Sequence, residues 1–181
     1  METRPVYNML YNTPAKGDDG LYIVKALNDE KRKCFVQLNQ VKVADVSGDI
    51  SFELTSDRNR EKIQHIDTLN LEAARENSAT WFGKELSEEV IQNAYTPSIV
   101  NDQITGDRIP VTKVFNADQE MIDFEMIKQN KKCNIILEFA GLWFAKKAFG
   151  PAWNIVQVRV FDDPVIDTYP EDYAFADDDE E

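Results

Sequence analysis

Residues 134–161 read NIILEFAGLWFAKKAFGPAWNIVQVRVF, and this stretch decides the fold. Ile135, Leu137 and Phe139 alternate with Ile136, Glu138 and Ala140; Val156, Val158 and Val160 alternate with Gln157, Arg159 and Phe161. A period of two with β-branched residues is the pattern of half-buried strands. Between the two runs lie Trp143, Phe144, Lys146, Lys147, Phe149 and Trp153, punctuated by Gly141 and by Gly150-Pro151. The expectation is a hairpin with two lysines set among four large aromatics. A groove for single-stranded nucleic acid needs both kinds of side chain, cations for phosphates and rings for bases of any identity. The ordinary reading of each aromatic is that it packs in the core.

Working outward, 181 residues suit one domain with a sizeable core. No apolar run approaches the roughly 20 residues that span a bilayer, so no membrane association is expected. The opening residues lack a basic segment followed by an apolar stretch, so an intracellular protein is expected. Cys34 and Cys133 form no CxxC pattern and read as reduced thiols. The net charge of −13 argues at first against nucleic acid. Its distribution reverses that inference. Residues 162–181 hold ten of the 33 acidic side chains and no basic one, which leaves 23 acids against 20 bases in residues 1–161. Phosphate binding is thus a question of local patches. The expected boundary lies at Phe161, between a domain of residues 1–161 and an acidic, disordered tail of residues 162–181.

Taken in order, residues 1–20 read as an extended arm and 21–27 as a strand. Residues 34–46 hold one or two strands, and 50–54 continue the sheet. From Asp57 the period changes: Ile63, Ile66, Leu69 and Ala73 recur at helical spacing, with Ser56 or Asp57 as cap and Asn70 interrupting the stripe. This predicts a helix over 58–77. Trp81-Phe82-Gly83 reads as a packed corner, and Ser87 caps a second helix that ends near Ala94, before Thr96-Pro97. Residues 102–107 read as a polar loop, 111–115 and 121–127 as short strands, and 129–132 as a basic turn. Strands without regular βα alternation predict a mainly β domain carrying a helical insertion at about residues 58–94.

Phosphate-loop, dinucleotide, nucleophile-elbow and zinc-protease motifs are all missing from the sequence. With His65 as the only histidine and no clustered cysteines, catalytic triads and zinc sites have no support. Adjacent carboxylates such as Glu88-Glu89 and Asp162-Asp163 read as helix capping and tail solvation. The chain is therefore expected to be no enzyme, with no cofactor and no metal.

The strand order, the helix placement and the acidic tail, together with GLWFAKKAFGPAWNIVQVRV at 141–160, resemble a known family. It is the single-stranded DNA-binding protein of short-tailed coliphages, with its relatives in large nucleocytoplasmic DNA viruses. WFGKELSEEVIQNAYTPSI at 81–99 resembles the viral group, and VTKVF at 111–115 stands where the phage protein has a strand bearing lysine and aromatics. The resemblance implies a five-stranded OB-fold barrel, a role in viral DNA replication, recombination or repair, and a homodimer. The phage tail ends on phenylalanine. Here Tyr173 and Phe175 precede Asp177, Asp178, Asp179, Glu180 and Glu181, so the aromatics are internal.

Phosphate contacts are accordingly expected from Lys113, Lys131, Lys132, Lys146, Lys147 and Arg159, and base stacking from Phe115, Trp143, Phe144 and Trp153. The ordinary reading of Lys131-Lys132 is a solvated turn. The tail from Tyr173 and Phe175 to Glu181 is expected to compete with DNA and to contact a viral DNA polymerase or helicase. Two rival readings are a virion scaffold that uses the aromatic hairpin as a subunit contact, and an acidic-tailed chaperone. Salt separates them, because DNA binding weakens steeply through counterion release and an apolar contact does not.

Overall fold

The computed structural model describes residues 8–161 together with Tyr173 and Phe175. The rest of the expected tail, Asp177 to Glu181 included, lies outside the described residues. In chain order the elements are β1 (Met9–Tyr11), β2 (Ala15–Lys16), β3 (Tyr22–Asn28), β4 (Cys34–Asp45), β5 (Ile50–Glu53), α1 (Asp57–Glu76), α2 (Ser78–Phe82), α3 (Glu88–Ala94), β6 (Ile99–Val100), β7 (Gln103–Phe115), β8 (Met121–Ile122), a 3-10 turn (Phe124–Met126), β9 (Lys132–Phe144) and β10 (Phe149–Val160). The protein is mainly β, with its helices inserted between β5 and β6, as the sequence pattern predicts.

β9 is the shared strand. Cys133, Ile135, Leu137 and Phe139 point inward and are buried, while Asn134, Ile136, Glu138 and Ala140 face outward. One edge of β9 pairs with β10 along its length. The other edge pairs with β4 from Lys132 to Phe139 and with β3 from Gly141 to Phe144. The pairing continues from β10 through β7 and β5 to β4, which returns to β9, so five strands form a ring. All ring pairs are antiparallel except β7 with β10. Val36, Leu38, Val43, Phe52, Ile104, Leu137, Ile155 and Val158 fill the interior. Each such side chain contributes about 1.5–3 kcal/mol on burial.

Gly141 stands where β9 changes partner. Its φ is +141°, and a Cβ there would lie 2.0 Å from the Val24 carbonyl oxygen. Only glycine fits a conformation and an approach of that kind.

Three expectations are corrected. Residues 102–107 are not a loop, because Gln103–Phe115 is one interrupted strand. Ile104 is buried, and Gly106 is a strand residue over which Ile155 packs, 2.8 Å from where a Cβ would stand. Second, Val156 does not share a face with Val158 and Val160. Ile155 pairs with Leu137 and Gln157 with Ile136, so Val156 is the extra residue of a bulge and the inward row runs Trp153, Ile155, Val158, Val160. Of residues 121–127, only Met121–Ile122 form a strand.

Helix α1 begins as its sequence directs, with the Ser56 hydroxyl accepting from Asn59 N–H. It lies along the stretch of β4 that β5 does not cover. Asn59 Nδ2 donates to the Asn39 carbonyl, and Lys62 Nζ to the Gln37 carbonyl. A helix thus closes a sheet edge that would otherwise expose its polar backbone.

Asn70, which interrupts the apolar stripe, is fully buried and serves as a junction. It accepts from the Tyr11 hydroxyl and donates to Tyr95 Oη; Tyr95 donates to Asp67, which also accepts from the Ser98 hydroxyl and N–H. Trp153 Nε1 donates to Ser98 Oγ at 2.9 Å. One polar chain thus joins β1, α1, the α3–β6 link and β10. Burial pushes the Asp67 carboxyl up from its ordinary value, and the hydrogen bonds from Ser98 and Tyr95 oppose that shift. Burial likewise pushes the Cys34 and Cys133 thiols up to about 12. Among the described residues no helix is long and apolar enough to cross a membrane.

Gly141→Ala should destabilise the fold by more than about 2 kcal/mol, since it combines a strained φ with a backbone clash. Urea unfolding measures this, and an unchanged midpoint would contradict the pairing described for β9.

Candidate nucleic-acid interface

The outward rows of four neighbouring strands make one surface. On β7 a wide bulge does the positioning. Asp107 pairs with Asn154 and Arg108 with Ile155, but the next β7 partner of β10 is Lys113, opposite Gln157. Residues 109–112 loop out between them. Pro110 is tolerated there because no ladder hydrogen bond is asked of it. The Thr112 hydroxyl fixes the loop, accepting from Ile109 N–H and donating to the Ile155 carbonyl. Lys113 is thereby set beside Gln157, and Phe115 beside Arg159.

On the far side of β10, Arg159 pairs with Asn134 and Gln157 with Ile136; on β4, Gln37 pairs with Ile136. The Asn134 side chain accepts from the N–H of Gln40, a residue held at φ +56° in a register shift of β4. A groove of about 370 Å³ follows this surface, lined by Gln37, Phe115, Asn134, Ile136, Gln157 and Arg159 among others. Arg159 is exposed, with its guanidinium carbon 5.4 Å from the Phe161 ring centroid. Lys132 joins the same end of the sheet, where its carbonyl accepts from Phe161 N–H. Lys131 is half-buried beside it. Lys113, Lys132 and Arg159 make no ion pair among the described residues, so their charges are available. Glu138 bounds the patch along β9 and accepts from Asn154 Nδ2.

The remaining candidates sit at the other end of the β9–β10 hairpin, about 30 Å along the strand. Lys146 and Lys147 are exposed in the turn. Phe144 is half-buried in an aromatic cluster: stacked on Phe149 at 5.5 Å, and edge-on to Trp81 and Phe82. Its free margin, with Tyr22, Trp81 and Lys146, lines a second groove of about 490 Å³. Tyr22 is 53% exposed. Trp143 projects from the opposite face of β9 and lies over Gly150, where a Cβ would come within 2.9 Å of its ring.

Trp153 leaves the stacking set. It is 4% exposed, packs against Phe139 and spends its N–H on Ser98, so its ring is no stacking platform and only its margin reaches the cleft beside Trp143. Its neighbours Gly150-Pro151 read as a turn, whereas in the structure they are strand residues and Trp153 belongs to the inward row. Tyr173 and Phe175 are exposed, with ring centroids 5.6 Å apart.

The structure therefore separates the candidates into a sheet group (Lys113, Phe115, Lys131, Lys132, Arg159) and a hairpin group (Trp143, Phe144, Lys146, Lys147). The sequence reading missed the amides Gln37, Asn134 and Gln157 as lining residues, and also Tyr22 and Trp81. Amides alternating with apolar residues in β4, β9 and β10 were the available signal.

A family model described as a family of unknown function (DUF5871) matches residues 39–177, and the chain belongs to that family. The match begins within β4 and runs past Phe161. No curated protein matches the sequence. Among solved structures, a C-terminally truncated single-stranded DNA-binding protein from bacteriophage Enc34 aligns with a TM-score of 0.51 at 12% identity, covering 84% of this chain and 96% of that one. The Enc34 protein in complex with ssDNA aligns at 0.50 and 14% identity, covering 85% and 97%. A third structure, of the single-stranded DNA-binding protein from bacteriophage Enc34, aligns at 0.50 and 12% identity, covering 93% and 97%. The likeness is one of fold.

Trp153→Phe should lower stability by about 1 kcal/mol through the lost donor to Ser98. Denaturant unfolding tests this, and a variant as stable as the parent would contradict the buried role.

Proposed function

We propose that this member of the DUF5871 family binds single-stranded DNA with little regard to sequence, in viral DNA replication, recombination or repair, and performs no turnover chemistry. The observation that carries the reading is the continuous outward surface of β7, β10, β9 and β4. There, cations with no ion pair among the described residues (Lys113, Arg159) stand beside an aromatic ring (Phe115) and uncharged amides (Gln37, Gln157). Cations hold phosphates, the ring stacks, and amides hydrogen-bond to bases without excluding any one of them. The fold shared with a phage protein solved in complex with ssDNA supports the same reading. The ring order, with its single parallel pair, supports a five-stranded OB barrel.

In this proposal the hairpin group extends the site, and the domain ends at Phe161. The acidic tail then competes for the cations and offers Tyr173 and Phe175 to a polymerase or helicase. A second reading, a contact between copies, draws on Val111, Met121 and Met126, which are 62%, 66% and 53% exposed. That contact would serve a homodimer or a scaffold.

The deciding experiment is an oligo-dT titration at two salt concentrations. Lys113→Ala combined with Arg159→Ala should weaken binding and flatten the logarithmic salt slope by about 1.4, at 0.7 for each phosphate contact on a single strand. Lost affinity with an unchanged slope would assign both residues a structural role, and salt-insensitive self-association without DNA binding would favour the second reading.

Truncation after Phe161 should tighten oligo-dT binding, more at low salt, where the Debye length is about 10 Å at 0.1 M against 3 Å at 1 M. Equal or weaker binding by the truncated chain would remove the competition.

A further inference from the structure

We infer that the cleft between Trp143 and the β6–β7 turn is a nucleobase pocket. It takes one neutral heterocycle of a bound strand, its face on Trp143 and its edge toward Asn101 and Gln103. The inference rests on the single-stranded DNA reading above and adds to it one subsite with a several-fold preference among bases, within binding that excludes none of them.

The cleft has a volume of about 380 Å³, and its walls include Val100, Asn101, Gln103, Thr105, Trp143 and Pro151. Among the described residues, none that lines it is charged. That separates it from the sheet groove, which holds Arg159, and from the groove beside Tyr22, which holds Lys146. A phosphate in this cleft would lose water and gain no counter-charge, whereas a neutral ring would not suffer that loss.

The polar groups that are free here suit a base edge. Ser98 donates its hydroxyl to Asp67, and Thr105 shares a hydrogen bond with the Ser51 hydroxyl. The side-chain amides of Asn101 and Gln103 make no hydrogen bond among the described residues. Each offers two donors and an acceptor, the complement of the donor–acceptor pattern on a base.

Both walls are set in advance. Asn101 and Asp102 have φ of +54° and +61°, and Val100 pairs with Gln103 across them, as in a two-residue hairpin turn that fixes its flanks. Trp143 Nε1 donates to the Pro151 carbonyl at 3.2 Å, and its ring rests on Gly150. A platform already ordered loses little freedom when a base stacks on it. Lys146 and Lys147, in the turn that follows β9, stand ready for the flanking phosphates.

The test compares oligo-dT, oligo-dA and an abasic oligomer of equal length, titrated against the full chain and against Trp143→Ala and Gln103→Ala, with melting curves to check folding. Trp143→Ala should weaken both base-bearing oligomers by roughly 5- to 100-fold and leave abasic affinity and the salt slope unchanged. Gln103→Ala should change the dT-to-dA ratio several-fold with the same slope. If a folded Trp143→Ala binds all three oligomers as the parent does, the pocket is refuted. The same holds if Trp143→Ala fails to fold and Gln103→Ala keeps the parental ratio. Should the Lys113–Arg159 double variant still lose affinity in those cases, the single-stranded DNA reading stands without the pocket. A parent chain that binds no oligomer overturns both.

Discussion

The structure depends on β9 serving three strands at once. A strand has two edges, so three partners require that one edge be divided, and the division falls at Gly141. Before it, β9 completes the ring through β4. After it, β9 carries β3, and through β3 the arm strands β1 and β2. The backbones meet so closely at that point that a methyl group would overlap the Val24 carbonyl. Closing the ring and attaching the arm are thus one geometric event. The inward row of β9 then places Cys133, Ile135, Leu137 and Phe139 in the centre of the core.

Departures from regular pairing convert this scaffold into a surface. A regular sheet would alternate its faces without interruption. Here Val156 adds one residue to β10, residues 109–112 add a loop to β7, and Gln40 shifts the register of β4. Each shift is secured by side-chain hydrogen bonding: Thr112 on the β7–β10 side, and Asn134, Asn59 and Thr55 around residues 39–40. The outcome is a row of Lys113, Phe115, Gln157 and Arg159 that uninterrupted strands would not bring together. Bulges re-aim side chains in this way beside functional sites generally.

Much of the architecture was legible in the sequence, because burial imposes a period. The alternation in 134–140, the helical stripe from Ile63 to Ala73 and the caps at Ser56 and Ser87 stand as the pattern predicts. What escaped the pattern has physical reasons. Residues 102–107 read as a polar loop, yet they lead into a strand in which Gly106 makes room for Ile155. Asn70 reads as a break in the stripe, yet two tyrosine hydroxyls satisfy it inside the core. The bulge at Val156 cannot be read from an unbroken run of alternation, since an inserted residue changes the faces without changing the composition. Trp153 was assigned by its neighbours, Lys146 and Lys147, but its position is set by inward parity and by Ser98, 55 residues away in the chain. The amides escaped notice because glutamine and asparagine on a strand read as ordinary solvated positions until the surface around them is known.

The central claim is that the face of the β9–β10 ladder, from Phe115 and Arg159 at one end to Trp143 at the other, is where a single strand lies. Ultraviolet cross-linking of oligo-dT to the full chain, followed by mass-spectrometric mapping of the adducts, addresses it most directly. The account predicts adducts on Phe115 and Trp143. Adducts confined to the helical segment of residues 57–94 would contradict it.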